Sequence, residues 1–253
     1  MAGLDLIKTY SSDSEDEHDE KKKSNKDKIV NRLAIPTSIL SWEGVIYHEE
    51  MIDDPLNHDG RKRSFKHERG NWATLIYINC ITSDCLHTWI NSVLNELSIQ
   101  GNIIFNFHIS LSRTLVLKFH WIESFVEDLK LLCHKFNKFV IQLTDVKVYC
   151  NEEKTRTFLG IYCQDKDGTL KHLTKVLDGL LAEYQLPSFY KDTSYHISIF
   201  WCLGDQRAHL QKFLPFLTCN LNKFLAENTE DSFIYVNEIQ CKIGNKCYMF
   251  ELR

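Results

Sequence analysis

Two short stretches of the chain, FHISLSR at 107–113 and YHISIFW at 195–201, each carry an aromatic residue followed by His-Ile-Ser. Successive side chains of a β-strand point to opposite faces, so residues i and i+2 lie on the same face. A strand here would place His108 and Ser110 together on one face and Ile109 on the other. The first motif therefore predicts a polar face that carries an imidazole and a hydroxyl.

The second motif repeats this arrangement with His196 and Ser198 on one face and Ile197 on the other. Two histidines with an ordinary pKa of about 6.5 can supply one base and one acid at neutral pH. Two hydroxyls can hold the non-bridging oxygens of a phosphate and favour the more charged transition state. This set of groups fits phosphoryl transfer without a metal, and in RNA the attacking oxygen can be the neighbouring 2′-hydroxyl.

Two other interpretations of the motifs stay open on the residues alone. A single His-x-Ser on a strand arises readily by chance, and a lone histidine there is more often structural, although two copies in similar contexts weaken that view. Acyl transfer with Ser110 or Ser198 as nucleophile would need a strained turn and a carboxylate partner for the histidine. Neither motif contains such a turn or partner.

The composition is that of an ordinary globular protein, with 253 residues, 43% hydrophobic and 25% charged. No apolar run is long enough to span a membrane, and the N-terminus lacks a signal-peptide pattern. The nine cysteines are odd in number and form no C-x-x-C pair, which favours free thiols in the cytosol or nucleus and gives no zinc-type spacing. The net charge of −4 argues against broad, non-specific duplex binding.

The charge is unevenly distributed along the chain. Residues 11–20 are almost wholly acidic and polar, and 21–28 are basic. Because such a segment cannot bury a core, we expect residues 1–32 to form a disordered tail, followed by one domain over 33–253.

Hydrophobic periodicity predicts alternating strands and helices over the rest of the chain. Ser83 is expected to cap a helix, and Pro215 to kink or break another. The predicted strands are 71–81, 102–113, 139–150, 156–164, 193–203 and a pair within 232–252 around Gly244-Asn245; the predicted helices are 83–97, 120–136, 168–184 and 205–225.

Each His-Ile-Ser strand is preceded and followed by a helix in this order. Two similar lobes, each contributing one such strand, would bring the motifs together across a pseudo-twofold axis. The order of elements favours an α/β or α+β domain.

Four separate blocks carry a resemblance to a known family: FHISLSRT at 107–114, NEEKTRTFLG at 151–160, FYKDTSYHISIFW at 189–201 and CKIGNKCYMF at 241–250. Together they resemble the Usb1/Mpn1 family of U6 small nuclear RNA 3′-end processing phosphodiesterases, within the 2H phosphoesterase superfamily. The resemblance implies an α+β, bilobed 2H fold, in which two pseudo-symmetric lobes of antiparallel sheet carry helices outside and enclose a central cleft.

The resemblance also implies an activity and a substrate. It implies a metal-independent 3′→5′ RNA exonuclease that trims the oligouridine 3′ end of U6 RNA, needs no cofactor and acts in the nucleus. The end left would be a 2′,3′-cyclic phosphate or a 3′-phosphate. Other 2H activities on small cyclic nucleotides or transfer RNA intermediates, and a non-catalytic RNA-end binding module, are the alternatives. We expect a monomer.

The resemblance assigns roles to individual residues of this chain. His108 and His196 match the catalytic histidines, with His108 as proton acceptor and His196 as donor, and Ser110 and Ser198 match the phosphate-binding serines. Tyr190 matches an aromatic residue that stacks on the terminal base.

Further residues are expected to line the nucleotide site, namely Ser194, Tyr195, Ile109, Ile197 and Glu152. Glu152 stands where some members of the family have a glutamine that contacts the base. A carboxylate offers no hydrogen-bond donor, so that contact must differ here.

Overall fold

The computed structural model describes Thr37, Gly60, Phe65 and the ranges 68–97 and 100–253. By its internal contacts the chain divides into Met1–Glu49 and Glu50–Arg253. The description below concerns the second unit. The predicted tail and its boundary at residue 33 lie outside the described residues and stay predictions.

Ten strands in the described ranges form one sheet, in which every hydrogen-bonded pair is antiparallel. The order along the sheet is β10-β9-β1-β3-β7-β6-β5-β8, with β4 paired to β1 and β2 paired to β7. The strands are β1 Asn71–Asn79, β2 Asn102–Ile103, β3 His108–Ser110, β4 Leu115–Lys118, β5 Phe139–Cys150, β6 Arg156–Gln164, β7 His196–Leu203, β8 Phe233–Val236, β9 Glu238–Ile243 and β10 Lys246–Glu251.

The α-helices in the same ranges are α1 Asp84–Asn95, α2 Ile122–Cys133, α3 Thr169–Glu183, α4 Arg207–Leu210 and α5 Leu214–Glu227. The α+β class with an antiparallel sheet is therefore confirmed.

Helices pack in pairs against the sheet. In the first pair, Trp89 of α1 stacks on Phe224 of α5. In the second, Phe125 of α2 meets Tyr184, which follows α3, edge to face. Each longer helix buries leucines at helical spacing, as Leu173 and Leu177 of α3 illustrate. Burial of each such side chain contributes about 1.5–3 kcal/mol, so this packing holds the sheet in shape.

Local sequence signals account for several helix ends. The Ser83 side chain accepts a hydrogen bond from the Leu86 N–H at 3.1 Å, which confirms the predicted N-cap of α1. Pro215 lies in the first turn of α5, where its missing N–H needs no partner. The predicted helix over 205–225 accordingly divides into α4, a 3₁₀ turn at Gln211–Phe213 and α5.

Three strand predictions differ from the structure. The strand predicted at 102–113 is two strands, because β2 pairs with the far part of β7 and β3 pairs with β1 and the start of β7. The sequence predicts no strand at β4, because its alternation spans only the four residues Leu115–Lys118. The C-terminal segment holds three strands, since β8 pairs with β5 whereas β9 and β10 form the predicted hairpin at Gly244-Asn245.

No helix in the described part of the chain is both long and apolar enough to cross a membrane.

Candidate active site

The two His-Ile-Ser segments lie side by side at the centre of the sheet. They form β3 and the start of β7, and Ile109 is the register partner of Ile197. This pairing brings the two motifs, with their histidines and serines, side by side.

Burial follows the alternation predicted from the sequence. Ile109 is 0% exposed and Ile197 1% exposed, so both side chains belong to the core. The histidines and serines on the other face are half-buried. The apolar face anchors both strands, and the polar face is left available for chemistry.

Each histidine is oriented in the same way by its own backbone. The Nδ1 of His108 lies 3.1 Å from the carbonyl oxygen of Asn106, and the Nδ1 of His196 lies 2.8 Å from that of Ser194. A carbonyl oxygen only accepts, so Nδ1 must carry the proton in each ring. The neutral rings therefore present an unprotonated Nε2, which is the atom that can accept a proton from a substrate.

Aromatic rings from neighbouring strands hold the two imidazoles. Tyr149 of β5 stacks on His196 with ring centroids 3.6 Å apart and planes at 14°. Its hydroxyl lies 3.0 Å from the Ser194 hydroxyl, next to the carbonyl that binds His196. Tyr77 of β1 meets His108 edge to face at 5.5 Å.

Gly160 of β6 makes the stacking of Tyr149 on His196 possible. It is the register partner of Ser198, at a point where the pairing of β6 with β7 shifts by one residue. A Cβ atom at Gly160 would lie 2.9 Å from His196 Cδ2 and 3.0 Å from Tyr149 Cε2. Contacts this short require one of the rings to move, so the absence of a side chain leaves the space that both occupy.

The environment of His196 has a direct electrostatic effect. Burial lowers the pKa of His196 from its ordinary 6.5, with a smaller lowering from His108, while the bond to the Ser194 carbonyl raises it. Burial acts because a low-dielectric surrounding disfavours the charged ring. The neutral, proton-accepting form of His196 is thus favoured in the free protein.

Tyr190 and Glu152 lie together, joined by a residue that the sequence did not single out. The Arg113 guanidinium carbon lies 4.2 Å from the Tyr190 ring centroid, and Arg113 Nη1 lies 2.7 Å from Glu152 Oε2. Arg113 ends the quoted FHISLSR stretch and Glu152 lies in NEEKTRTFLG, so both blocks of the resemblance contribute to this contact.

The other residues predicted to line the nucleotide site have buried or half-buried side chains. Tyr195 is 5% exposed, and its hydroxyl lies 2.7 Å from that of Thr174 on α3. With Ile109 and Ile197 also in the core, these three residues can reach a nucleotide only through their backbone. Ser194 is half-buried beside Tyr149.

The sequence patterns do not indicate Tyr149, Gly160 or Arg113. Tyr149 and Gly160 act through ring packing between strands that are neighbours only in the folded sheet, so spacing gives no signal for them. The one signal available was that Gly160 and Arg113 stand inside the blocks of the resemblance.

A pocket of about 330 Å³ lies away from these residues. It is lined by residues of the α2–β5 connection and the start of α3, including Lys135, Phe136 and His172. None of the predicted site residues lines it. In the described ranges, no group of three or more His, Cys, Asp or Glu residues is arranged to hold a metal ion.

Paired His-x-Ser strands at the centre of an antiparallel sheet define the class of 2H phosphoesterases. Comparison with known proteins shows the family of the chain. The HVSL family model, described as an uncharacterised conserved protein, matches residues 33–251. U6 snRNA phosphodiesterase 1 of Danio rerio is 37% identical over 234 residues, covering 89% of this chain and 82% of the relative. The protein of the same name from Xenopus laevis is 36% identical over 251 residues, covering 96% and 98%.

The chain therefore belongs to the HVSL family, together with the U6 snRNA phosphodiesterase 1 proteins. A solved structure supports the fold: Usb1 of Kluyveromyces marxianus with uridine monophosphate aligns with a TM-score of 0.50 at 15% identity, covering 72% of this chain and 99% of that one. The resemblance given by the four sequence blocks is confirmed.

Proposed function

We propose that this protein is a phosphodiesterase that processes the 3′ end of U6 small nuclear RNA, by removing nucleotides stepwise from an oligouridine end. The observation that carries the proposal is the direct pairing of the two His-Ile-Ser strands at Ile109 and Ile197. This pairing sets two imidazoles and two hydroxyls on one face of the sheet. The choice of U6 RNA as substrate comes from the name of the relatives, U6 snRNA phosphodiesterase 1. We expect the protein to meet this RNA in the nucleus.

The reaction begins with the 2′-hydroxyl of the penultimate nucleotide. One histidine accepts its proton at Nε2 while the oxygen attacks the neighbouring phosphorus. The bond from phosphorus to the 5′-oxygen of the last nucleoside breaks, and the second histidine gives that oxygen a proton. In the first turn the products are a free terminal nucleoside and an RNA that ends in a 2′,3′-cyclic phosphate. In each later turn the terminal nucleoside leaves together with its cyclic phosphate, so atoms and charge balance in every turn.

The two serines hold the phosphate through this reaction. Ser110 and Ser198 share the face of the histidines, and each can donate one hydrogen bond to a non-bridging oxygen. Charge on those oxygens grows in the transition state, so fixed donors stabilise it more than the ground state.

The resemblance makes His108 the proton acceptor and His196 the donor. Burial lowers the pKa of His196, so the donor role requires the bound phosphodiester to raise that pKa again. An anion beside an imidazole has this effect, because it stabilises the charged ring. The two roles exchange if the same site later opens the cyclic phosphate to a 3′-phosphate.

A 5′-labelled oligouridine tests the proposal in buffer containing EDTA. One RNA is all ribose, and its partner has a single 2′-deoxy sugar at the penultimate position. Stepwise shortening of the first and none of the second is the expected result. Equal shortening of both would mean that water or a protein group attacks, and would overturn the mechanism.

Two further outcomes would favour the alternatives. If neither RNA is shortened but 2′,3′-cyclic uridine monophosphate is opened, the substrate is a small cyclic nucleotide. If neither substrate reacts but the RNA binds, the protein is an RNA-end binding module.

A further inference from the structure

Arg113 joins three segments that surround the proposed site. It follows β3, and its Nη1 binds Glu152 Oε2 at 2.7 Å in the connection between β5 and β6. Its guanidinium carbon also lies 4.2 Å from the centroid of Tyr190, which precedes β7. A single side chain therefore connects the first motif to the loop that leads into the second.

The backbone of Arg113 is anchored in the core. Ser112 is 2% exposed, accepts a hydrogen bond from the Ile76 N–H at 3.0 Å and donates one to the Arg113 carbonyl at 2.8 Å. Because Ser112 fixes the main chain at this point, the guanidinium starts from a defined position. The Arg113 Nε is buried and has no acceptor among the described residues. Because Nε makes no hydrogen bond there, the guanidinium is oriented by its contacts with Glu152 and Tyr190.

The ion pair with Glu152 is exposed, with 30% of the Arg113 side chain and 61% of the Glu152 side chain accessible. Exposed ion pairs contribute little to stability, so its main effect is on geometry. The Glu152 carboxylate is directed at Arg113, and the planar guanidinium is held against the ring of Tyr190. Cation–π attraction stabilises a contact of this kind between a guanidinium and an aromatic ring.

Tyr190 remains 43% exposed although the guanidinium lies against its ring. Phe189, which is buried, meets it edge to face at 5.2 Å and restrains it further. Nucleobases stack on exposed aromatic rings with little dependence on sequence. A ring that is already held in place loses less freedom when a base stacks on it, so binding is stronger.

We propose that Arg113 is a positioning residue for the last base of the RNA: it holds Tyr190 in the orientation that stacks the 3′-terminal nucleobase, and Glu152 orients Arg113. This inference rests on the proposed function and deepens it. Arg113 touches neither the reacting phosphate nor the histidines in this role. Loss of the Arg113 side chain should therefore weaken the binding only of those substrates that carry a terminal base.

The test compares two 5′-labelled oligouridines that differ only in the last nucleotide, which is uridine in one and an abasic ribonucleotide in the other. The wild-type protein should prefer the uridine end by about 5- to 150-fold in kcat/KM, the range expected for one stacked base. Arg113→Gln should reduce that preference by roughly threefold or more, mainly through KM, and leave the abasic RNA unaffected.

Four variants identify the cause. Tyr190→Ala should abolish the preference, and adding Arg113→Gln to it should change nothing further, because the two residues act on one contact. Arg113→Lys keeps the charge but lacks the planar group, so it should restore the preference only in part. The preference of Glu152→Gln for the uridine end should lie between that of the wild type and that of Arg113→Gln.

Two results would overturn the role of Arg113. One is an equal loss on both RNAs with Arg113→Gln, which would indicate a structural or phosphate-binding role. The other is additive effects of Arg113→Gln and Tyr190→Ala. Thermal unfolding of each variant separates misfolding from a local effect.

A binding measurement keeps this inference separate from the proposed function. Calorimetry with uridine 5′-monophosphate and ribose 5-phosphate needs no cleavage. Arg113→Gln should weaken the binding of the nucleotide and leave the binding of the sugar phosphate unchanged. This expectation holds even if the wild-type protein shortens no RNA and the proposed function fails. Equal affinities of wild type and variant for the nucleotide would count against Arg113 alone.

Discussion

Ile109 and Ile197 are register partners where β3 meets β7, and both side chains lie in the core. Each is the middle residue of a His-Ile-Ser segment. Their pairing fixes the two strands at one register, and a slip by one residue would turn the polar set toward the core. The relation between the two histidines is therefore set by apolar packing on the opposite face of the sheet.

Replacing either histidine should nearly abolish cleavage. His108→Ala removes one proton-transfer group and His196→Ala the other, and each such group is worth about 10²–10⁴ in rate. We expect kcat on an oligouridine to fall by that factor in each variant, and the double variant to be hardly worse than either single one. Single-turnover rates measure this.

His134→Ala is the matched control, because His134 is exposed at the end of α2. It should cleave at the wild-type rate. Near-normal cleavage by His196→Ala would rule out a mechanism with two histidines.

Replacing the serines should cost less than replacing the histidines. Ser110→Ala or Ser198→Ala removes one donor to a phosphate oxygen, which typically lowers kcat by about 10- to 1,000-fold. Replacing a non-bridging oxygen of the scissile phosphate by sulfur should reduce the difference between wild type and variant, since sulfur accepts hydrogen bonds poorly. Wild-type kcat in either serine variant would show that the replaced serine does not bind the phosphate in the transition state.

The pH profile should reflect the buried position of His196. Burial lowers its pKa below 6.5, so its ring stays neutral to more acidic pH than a free histidine does. Because His196 acts as the proton donor, activity falls as pH rises through its pKa, so the alkaline limb of kcat/KM, which reports the free protein, should lie below 6.5. The alkaline limb of kcat should lie at higher pH, because bound phosphate favours the protonated ring.

Tyr149→Ala uncovers His196 and should shift the alkaline limb of kcat/KM upward, toward the ordinary histidine value. An alkaline limb at or above 6.5 in the wild-type kcat/KM profile would contradict the role given to burial.

Two neighbouring tyrosines should behave differently. The Tyr195 hydroxyl bonds Thr174 in the core, so Tyr195→Phe should lower the free energy of unfolding by about 1 kcal/mol and leave KM unchanged. Tyr190→Ala should raise KM with little change in stability, since Tyr190 is exposed. Denaturant unfolding and steady-state kinetics check both. A raised KM in Tyr195→Phe would return that side chain to the nucleotide site.

The sequence predicted the long elements well because their periodicity is strong. Strands β5 and β6 have the predicted limits at 139–150 and 156–164, and α1 and α3 begin next to the predicted residues. The predicted strand at 102–113 was wrong as a single element, because its two parts find different partners along β7. Such a division depends on tertiary pairing, which local alternation does not encode.

The site divides in the same way. The shared face of His108 and Ser110 follows from strand alternation alone, and the structure shows the corresponding burial. The contact of Tyr149 with His196 joins residues on strands separated by β6, so nothing in the linear spacing indicates it. The roles of the histidines, serines and Tyr190 stay predictions until the variants are measured.

Gly160 provides the most local test of how the site is positioned. A Cβ atom there would lie 2.9 Å from His196 Cδ2, 3.0 Å from Tyr149 Cε2 and 3.2 Å from the Ile197 carbonyl oxygen. Gly160→Ala should therefore displace the imidazole, and a misplacement of about 1 Å can lower the rate by about 100-fold. We expect this loss in kcat with a much smaller change in KM.

Gly179→Ala is the matched control, since Gly179 lies on the exposed side of α3 and a Cβ atom there meets nothing within 4 Å. It should leave kcat unchanged and stabilise the protein by about 0.5–1 kcal/mol, because alanine loses less backbone entropy than glycine in a helix. Activity and thermal unfolding of both variants decide the matter. If Gly160→Ala cleaves at the wild-type rate, the imidazole of His196 does not depend on this close packing for its catalytic position.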